Sequence, residues 1–233
     1  MKKHSLAVVV LLVISSLMAS TAITRAQAVT YEFFNNAIGT AGSTRFENGI
    51  GVSYSLDTLD TASTFIWQIF GQAAGDRKDD VQRVRLYVDD MDGVAYTINA
   101  DIHVSAKYVG NYAGDVRREI GGVLYHEATH VWQWNGRGNA PGGLIEGIAD
   151  FVRLKAGYAP SHWVGAGGGD RWDQGYDVTA RFLDYLDGIK AGFVADLNRK
   201  MKDGYTENFF VELMGKSVNQ LWSDYKSQFG GSN

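Results

Sequence analysis

The sequence predicts an α+β fold: a small mixed sheet with one helix, then a long central helix and a mainly helical C-terminal half. Three observations carry this. Short stretches with the two-residue period of strands fall before residue 107. Apolar residues at three- and four-residue spacing dominate from about residue 115 onward. Strand patterns precede helix patterns instead of alternating with them, and no internal repeat is evident.

Residues 1–28 stand apart. Met1-Lys2-Lys3-His4 is a basic start, 6–14 is an apolar run that continues weakly to Met18, and Ala26-Gln27-Ala28 is a small-residue cleavage signal. Together they read as a secretory signal peptide, with a mature chain from about Val29. The apolar run is too short to span a membrane, and no later segment is apolar enough. The mature chain, 29–233, is expected to form a single domain, with a sheet part over 29–135 and a helical part over 136–233.

Within it, 31–35 has strand-forming residues, and a turn rich in Gly, Ser and Asn follows to Gly51. Residues 52–55 read as a second short strand. Leu59, Ala62, Ile66, Ile69, Phe70 and Ala73 follow a helical period, with Ser55 or Thr58 as the cap and Gly75 as the stop. Residues 83–89 alternate, with Val84, Leu86 and Val88 on one face. Asp89-Asp90-Met91-Asp92-Gly93 is an acidic turn that lacks the full spacing of a calcium loop and reads as solvated. Two more strands follow over 93–97 and 102–106. The second of these, if it lies at the sheet edge, can pair with an extended peptide; His103 within it reads as a polar strand residue. A helix runs from Asp115 to about Asn135. The next has Pro141 in its first turn and a core face of Ile145, Ile148, Ala149, Val152 and Ala156. A loop rich in Gly and Trp spans 158–175. Val178, Phe182, Leu186 and Ile189 mark a third helix of this half, and Phe193, Leu197 and Met201 a fourth. Thr206 caps a short fifth, and Ser217 with Gln220 forms a capping box that opens a sixth.

The formal net charge of the full chain is −4. Loss of 1–28 removes Lys2, Lys3 and Arg25 but no acid, so the mature chain is more acidic still. That argues against a nucleic-acid partner, which needs a positive surface. There is no cysteine, so stability rests on core burial, which about 200 residues can supply. No N-x-S/T sequon is present.

The chemistry-bearing stretch is 122–154. His126-Glu127-Ala128-Thr129-His130 places two histidines one helical turn apart on one face, where both can reach one metal ion. Val116, Ile120, Leu124, Ala128 and Val131 form an apolar stripe beside them. Glu127 is rotated from His126 by about 100°, so it borders the metal, where a general base belongs. On the next helix Glu146 can supply a third ligand. Asp150, one turn on, can accept a hydrogen bond from the free ring nitrogen of a ligand histidine. The expected metal is Zn²⁺; Asp150 or His162 remains an alternative third ligand. Tyr176, His162, Tyr158 and Arg153 are candidate donors to a developing oxyanion, with Tyr176 first because it follows a Gly-rich loop that can fold over the cleft.

The run HEATHVWQWNGRGNAPGGLIEGIADFVRLKAGYAPSHWV, with GDRWDQGYDVTARFLDYL after it, resembles the plant-type basic secretory protein family. The likeness extends from Tyr31-Glu32 through VDDMDGVAY and IHVSA to LWSDYK. It implies a secreted, extracellular protein associated with plant defence, with a zincin-like fold and a metallopeptidase activity on peptide or protein substrates. The acidic charge departs from the family's name. Gln133 and Gly136 stand where the metzincin pattern needs Gly and His, so that subgroup does not fit. Glu146 and Asp150 resemble the thermolysin-like, gluzincin arrangement instead. No membrane partner is expected, and the chain is expected to be a monomer. Two other readings stay open: a non-catalytic binding protein whose Trp132, Trp134, Trp163 and Trp172 line a groove for a carbohydrate or microbial ligand, and a zinc hydrolase acting on another amide.

Overall fold

A computed structural model describes residues 29–230. The predicted signal peptide lies outside the described residues. The fold is mixed α and β, with a small sheet of four strands whose spatial order is β1 (Thr30–Asn35), β2 (Arg83–Asp89), β4 (Asp101–Ser105), β3 (Ala95–Ile98). The β1–β2 and β2–β4 ladders are parallel, and β3 runs antiparallel to β4.

The last strand before the central helix does not meet the condition for pairing with a peptide. β4 is interior, and β3 takes the edge because the chain doubles back at Asn99-Ala100 between them. Asn99 sits at φ 57, a left-handed conformation that asparagine tolerates better than most residues and that a two-residue hairpin needs.

Alternation fixes the sheet's faces. Val84, Leu86, Val88, Ile102 and Val104 are at most 1% exposed and point to the helices. On the other face the register aligns Phe34, Tyr87, His103 and Tyr96 across all four strands. Their rings stack at 4.9, 4.7 and 4.6 Å between centroids. His103 is also held by Asp89, with 2.5 Å between Nδ1 and Oδ2. It is the polar strand residue the sequence suggested.

Two elements differ from the sequence reading. The Gly/Ser/Asn-rich stretch contains a helix, α1 (Ala41–Gly49), whose first turn is capped by Thr40 accepting from Ser43 N–H at 3.1 Å. It packs on α3 (Ala106–Asn111) so closely that a Cβ on Gly42 would lie 1.8 Å from the Ala106 carbonyl oxygen. The glycine that looked like a turn signal is a packing requirement. Residues 52–55 are likewise the first turn of α2 (Val52–Ile69), not a strand. The helix begins after Gly51, and Ser55 donates back to the Gly51 carbonyl at 2.8 Å. Leu59, Ala62 and Ile66 of α2 are fully buried, and α2 packs along the central helix, so tertiary burial decides what short-range propensity left ambiguous. The acidic turn is answered by Lys107, which reaches Asp92 at 2.9 Å and Asp90 at 3.8 Å, as a solvated turn would be.

The central helix α4 (Val116–Trp132) is followed by a single 3-10 turn at Gly136–Gly138 and then α5 (Gly142–Lys155), α6 (Tyr176–Ile189), α7 (Phe193–Lys200), α8 (Asn208–Met214) and α9 (Val218–Gln228). The capping box opens α9: Ser217 N–H donates to Gln220 Oε1 at 2.9 Å, and Gln220 N–H to Ser217 Oγ at 3.3 Å. One apolar cluster runs from Ala37 through the sheet and α4 to Phe182, Phe210 and Tyr225.

α5 lies close to α6 and to the loop before it because two glycines, one turn apart, face them. A Cβ on Gly143 would lie 1.8 Å from the Asp173 carbonyl oxygen, and one on Gly147 would lie 2.2 Å from Thr179 Cγ2. Gly147→Ala is therefore expected to destabilise the fold by about 1–3 kcal/mol, read as a fall of roughly 2–10 °C in Tm by calorimetry. An unchanged Tm would mean that α6 can retreat without loss.

Candidate active site

Helix α4 starts at Asp115, whose carboxylate accepts from Arg118 N–H at 3.0 Å. Almost every later residue of the helix is buried, so the histidine pair is not surface decoration: His126 is 8% exposed and Glu127 5%. A second polar row comes from α5, where the half-buried Glu146 and the buried Asp150 and Arg153 follow at one-turn spacing. Glycine again allows the approach, since a Cβ on Gly122 would lie 2.7 Å from Arg153 Nε. The Arg153 guanidinium bonds Glu119 at 3.0 Å and the Tyr158 carbonyl at 3.2 Å, pinning the two helices together. Arg153 and Tyr158 are thus committed to structure. Tyr158 packs on the Tyr125 ring at 5.1 Å.

His126, His130 and Glu146 converge. His126 Nε2 lies 3.1 Å from His130 Nε2 and 3.1 Å from Glu146 Oε2, and His130 Nε2 lies 3.6 Å from the same oxygen. Donors held about 2.0–2.2 Å from one tetrahedral ion sit roughly 3.3–3.6 Å apart, so this triangle fits a shared cation. Among the described residues it is the one group of three such side chains able to hold a metal ion, and it includes neither Asp150 nor His162. Asp150 bonds the back of the His126 ring, with 2.6 Å between Oδ1 and Nδ1. His162 is exposed on the cleft wall.

The charges favour a cation too. Glu127, Glu146 and Asp150 crowd two imidazoles, and among the described residues none of the three is ion-paired to Lys or Arg. Burial opposes a charge on His126, yet hydrogen bonds to Asp150 and Glu146 push its pKa up to about 10. Burial would raise the Glu146 carboxyl, but bonds from His126 and His130 hold it well below the usual carboxylate range. The cluster therefore draws positive charge, a proton or a metal, into the triangle.

Glu127 stays outside the triangle. Thr97 on β3 donates to its Oε2 at 2.7 Å and lies 3.1 Å from its carbonyl oxygen. Gln133, one turn past His130, contacts that ring's Nδ1 at 2.7 Å. Sequence reasoning missed the roles of Thr97 and Gln133: no motif marks a threonine on a strand, and Gln133 had meaning only as a departure from another pattern. Tyr176 opens α6 at φ 47, in the left-handed region where a non-glycine is strained, after Gly175 at φ 100. Its ring lies parallel to the His126 ring, 6.2 Å between centroids. The Glu146 carboxylate first, and burial second, raise its phenol pKa.

These groups line a cleft of about 980 Å³ walled on one side by Val94 and by Ala95, Tyr96 and Thr97 of the β3 edge. Of the four tryptophans suggested for a ligand groove, Trp132 and Trp172 are buried, and Trp132 donates to Ser63 at 2.9 Å; Trp163 lines the cleft. Residues 26–225 match the family described as "Peptidase of plants and bacteria". The chain belongs to this family. As a member of the peptidase family of plants and bacteria it is also similar to a "Basic secretory protease" of Boswellia serrata, 51% identical over 59 residues that cover 25% of this chain and 67% of that protein. No solved structure matches. No helix among the described residues is long and apolar enough to cross a membrane.

Proposed function

We propose that the chain is a zinc-dependent, gluzincin-like peptidase of zincin-like fold, exported by way of residues 1–28 and acting outside the cell on peptide or protein substrates. The observation that supports this best is the donor triangle of His126, His130 and Glu146 with a separate buried carboxylate, Glu127, beside it. Zinc, when bound by those three residues, supplies a Lewis acid that lowers the pKa of a water to about 7 and polarises a carbonyl. Glu127 takes the proton of the attacking water and returns it to the leaving amine. The Thr97 hydroxyl occupies Oε2 and fixes the carboxylate's aim, which leaves Oε1 for that proton. Asp150 holds the His126 ring with its Nδ1 proton directed away from the triangle. Tyr176, kept protonated by its acidic neighbours, donates to the substrate oxyanion. The β3 edge, as the wall of the cleft, offers its free backbone groups to an extended substrate.

The purified mature chain is expected to hold about one zinc per chain by elemental analysis. Its cleavage of a peptide library should stop on chelation and return on adding zinc. Cleavage that persists in protein stripped of transition metals would overturn the proposal.

A further inference from the structure

The two ligand histidines are supported unequally. His126 has a carboxylate behind it, while His130 has only the neutral amide of Gln133. That amide is 3% exposed, and its Oε1 is buried with no hydrogen-bond partner. Its Nε2 lies 2.7 Å from His130 Nδ1 and 3.3 Å from the Ile145 carbonyl on α5. With the nitrogen facing the ring, Nδ1 must accept, so the ring proton sits on Nε2. A protonated Nε2 cannot bind a cation. Turning the amide by half a rotation brings Oε1 to the ring. The orphaned oxygen then accepts from Nδ1–H, and the His130 Nε2 lone pair turns free toward His126 and Glu146. The exchange gives up the contact to the Ile145 carbonyl and moves Nε2 to the place where Oε1 had no partner, so it is favoured only when a cation claims the His130 Nε2 lone pair. Helix capping does not require the side chain, because the Gln133 backbone N–H already bonds the Thr129 carbonyl at 2.8 Å.

We propose that Gln133 is the positioning residue for His130, its amide oxygen accepting from Nδ1–H whenever the site holds a cation. This rests on the zinc site proposed above. An accepting amide fixes the His130 tautomer able to bind metal.

The test uses zinc affinity, measured by competition with a chromophoric chelator, and not turnover. Gln133→Met is unbranched and close in volume but offers no amide; it should bind zinc about 10- to 100-fold more weakly at unchanged Tm. Gln133→Glu can only accept at neutral pH and should bind at least as tightly as the parent. Met binding as tightly as the parent, or Glu falling tenfold or more below it, would overturn the proposal. Should the Met variant fold too poorly to assay, the Glu variant decides alone. A parent that takes up no zinc sinks the peptidase reading itself; a parent that binds zinc with affinity indifferent to position 133 sinks only this inference.

Discussion

Glu127→Ala is expected to retain its zinc and to lose about 10²–10⁴-fold in kcat/KM on peptide substrates, the usual contribution of a general acid–base group. Retention follows from geometry, since Glu127 is not one of the three converging donors. The fold should tolerate the change. Thr97 loses its bond to Oε2 but keeps the Glu127 backbone carbonyl as an acceptor at 3.1 Å. Elemental analysis and single-turnover cleavage assays on the same preparation separate the two properties. A variant that cleaves as well as the parent would remove Glu127 from the mechanism. One that also loses its metal would make Glu127 a ligand.

Glu146→Ala is expected to lose the metal and all metal-dependent cleavage with it. Two imidazoles alone leave the triangle without its only anion, and the loss in zinc affinity should exceed the about 10- to 100-fold that removal of an outer hydrogen-bond partner produces. Elemental analysis after dialysis reads the result. The helix itself should survive, because α5 is anchored by Leu144, Ile148, Phe151 and Val152 on its other faces, each at most 1% exposed. Full zinc occupancy in this variant would move the third ligand elsewhere on the cleft wall.

Much of this arrangement was readable from residue order because it is helical and local. The His126–His130 spacing and the Glu146–Asp150 spacing are each one turn of a single element, and both pairs meet as the periodicity implied. The helices of the C-terminal half were legible for the same reason. What escaped were features set by distant contacts. α1 is hidden by Gly42, Ser43 and Asn48, residues that favour turns, and only the approach of α3 to Gly42 shows that the glycine serves packing. The first turn of α2 resembles a strand until Tyr54 meets Arg117 of α4. The identity of the edge strand depends on strand order, which short-range periodicity does not encode: β3 and β4 carry similar patterns, and a reversal at Asn99 assigns their places. Thr97 joins the site through a pairing that only the assembled fold creates, whereas Gln133 lies one turn from His130 and escaped because no motif marks it.

β3 is four residues long, and α4 lies against it. An unpaired rim that short has room for a single thin ribbon of chain. A compact globular protein cannot insert one of its own tightly laced strands there without first unravelling. If the rim seats the scissile segment, cleavage is confined to tails, exposed loops or already denatured polypeptides, and folded proteins are spared by shape alone.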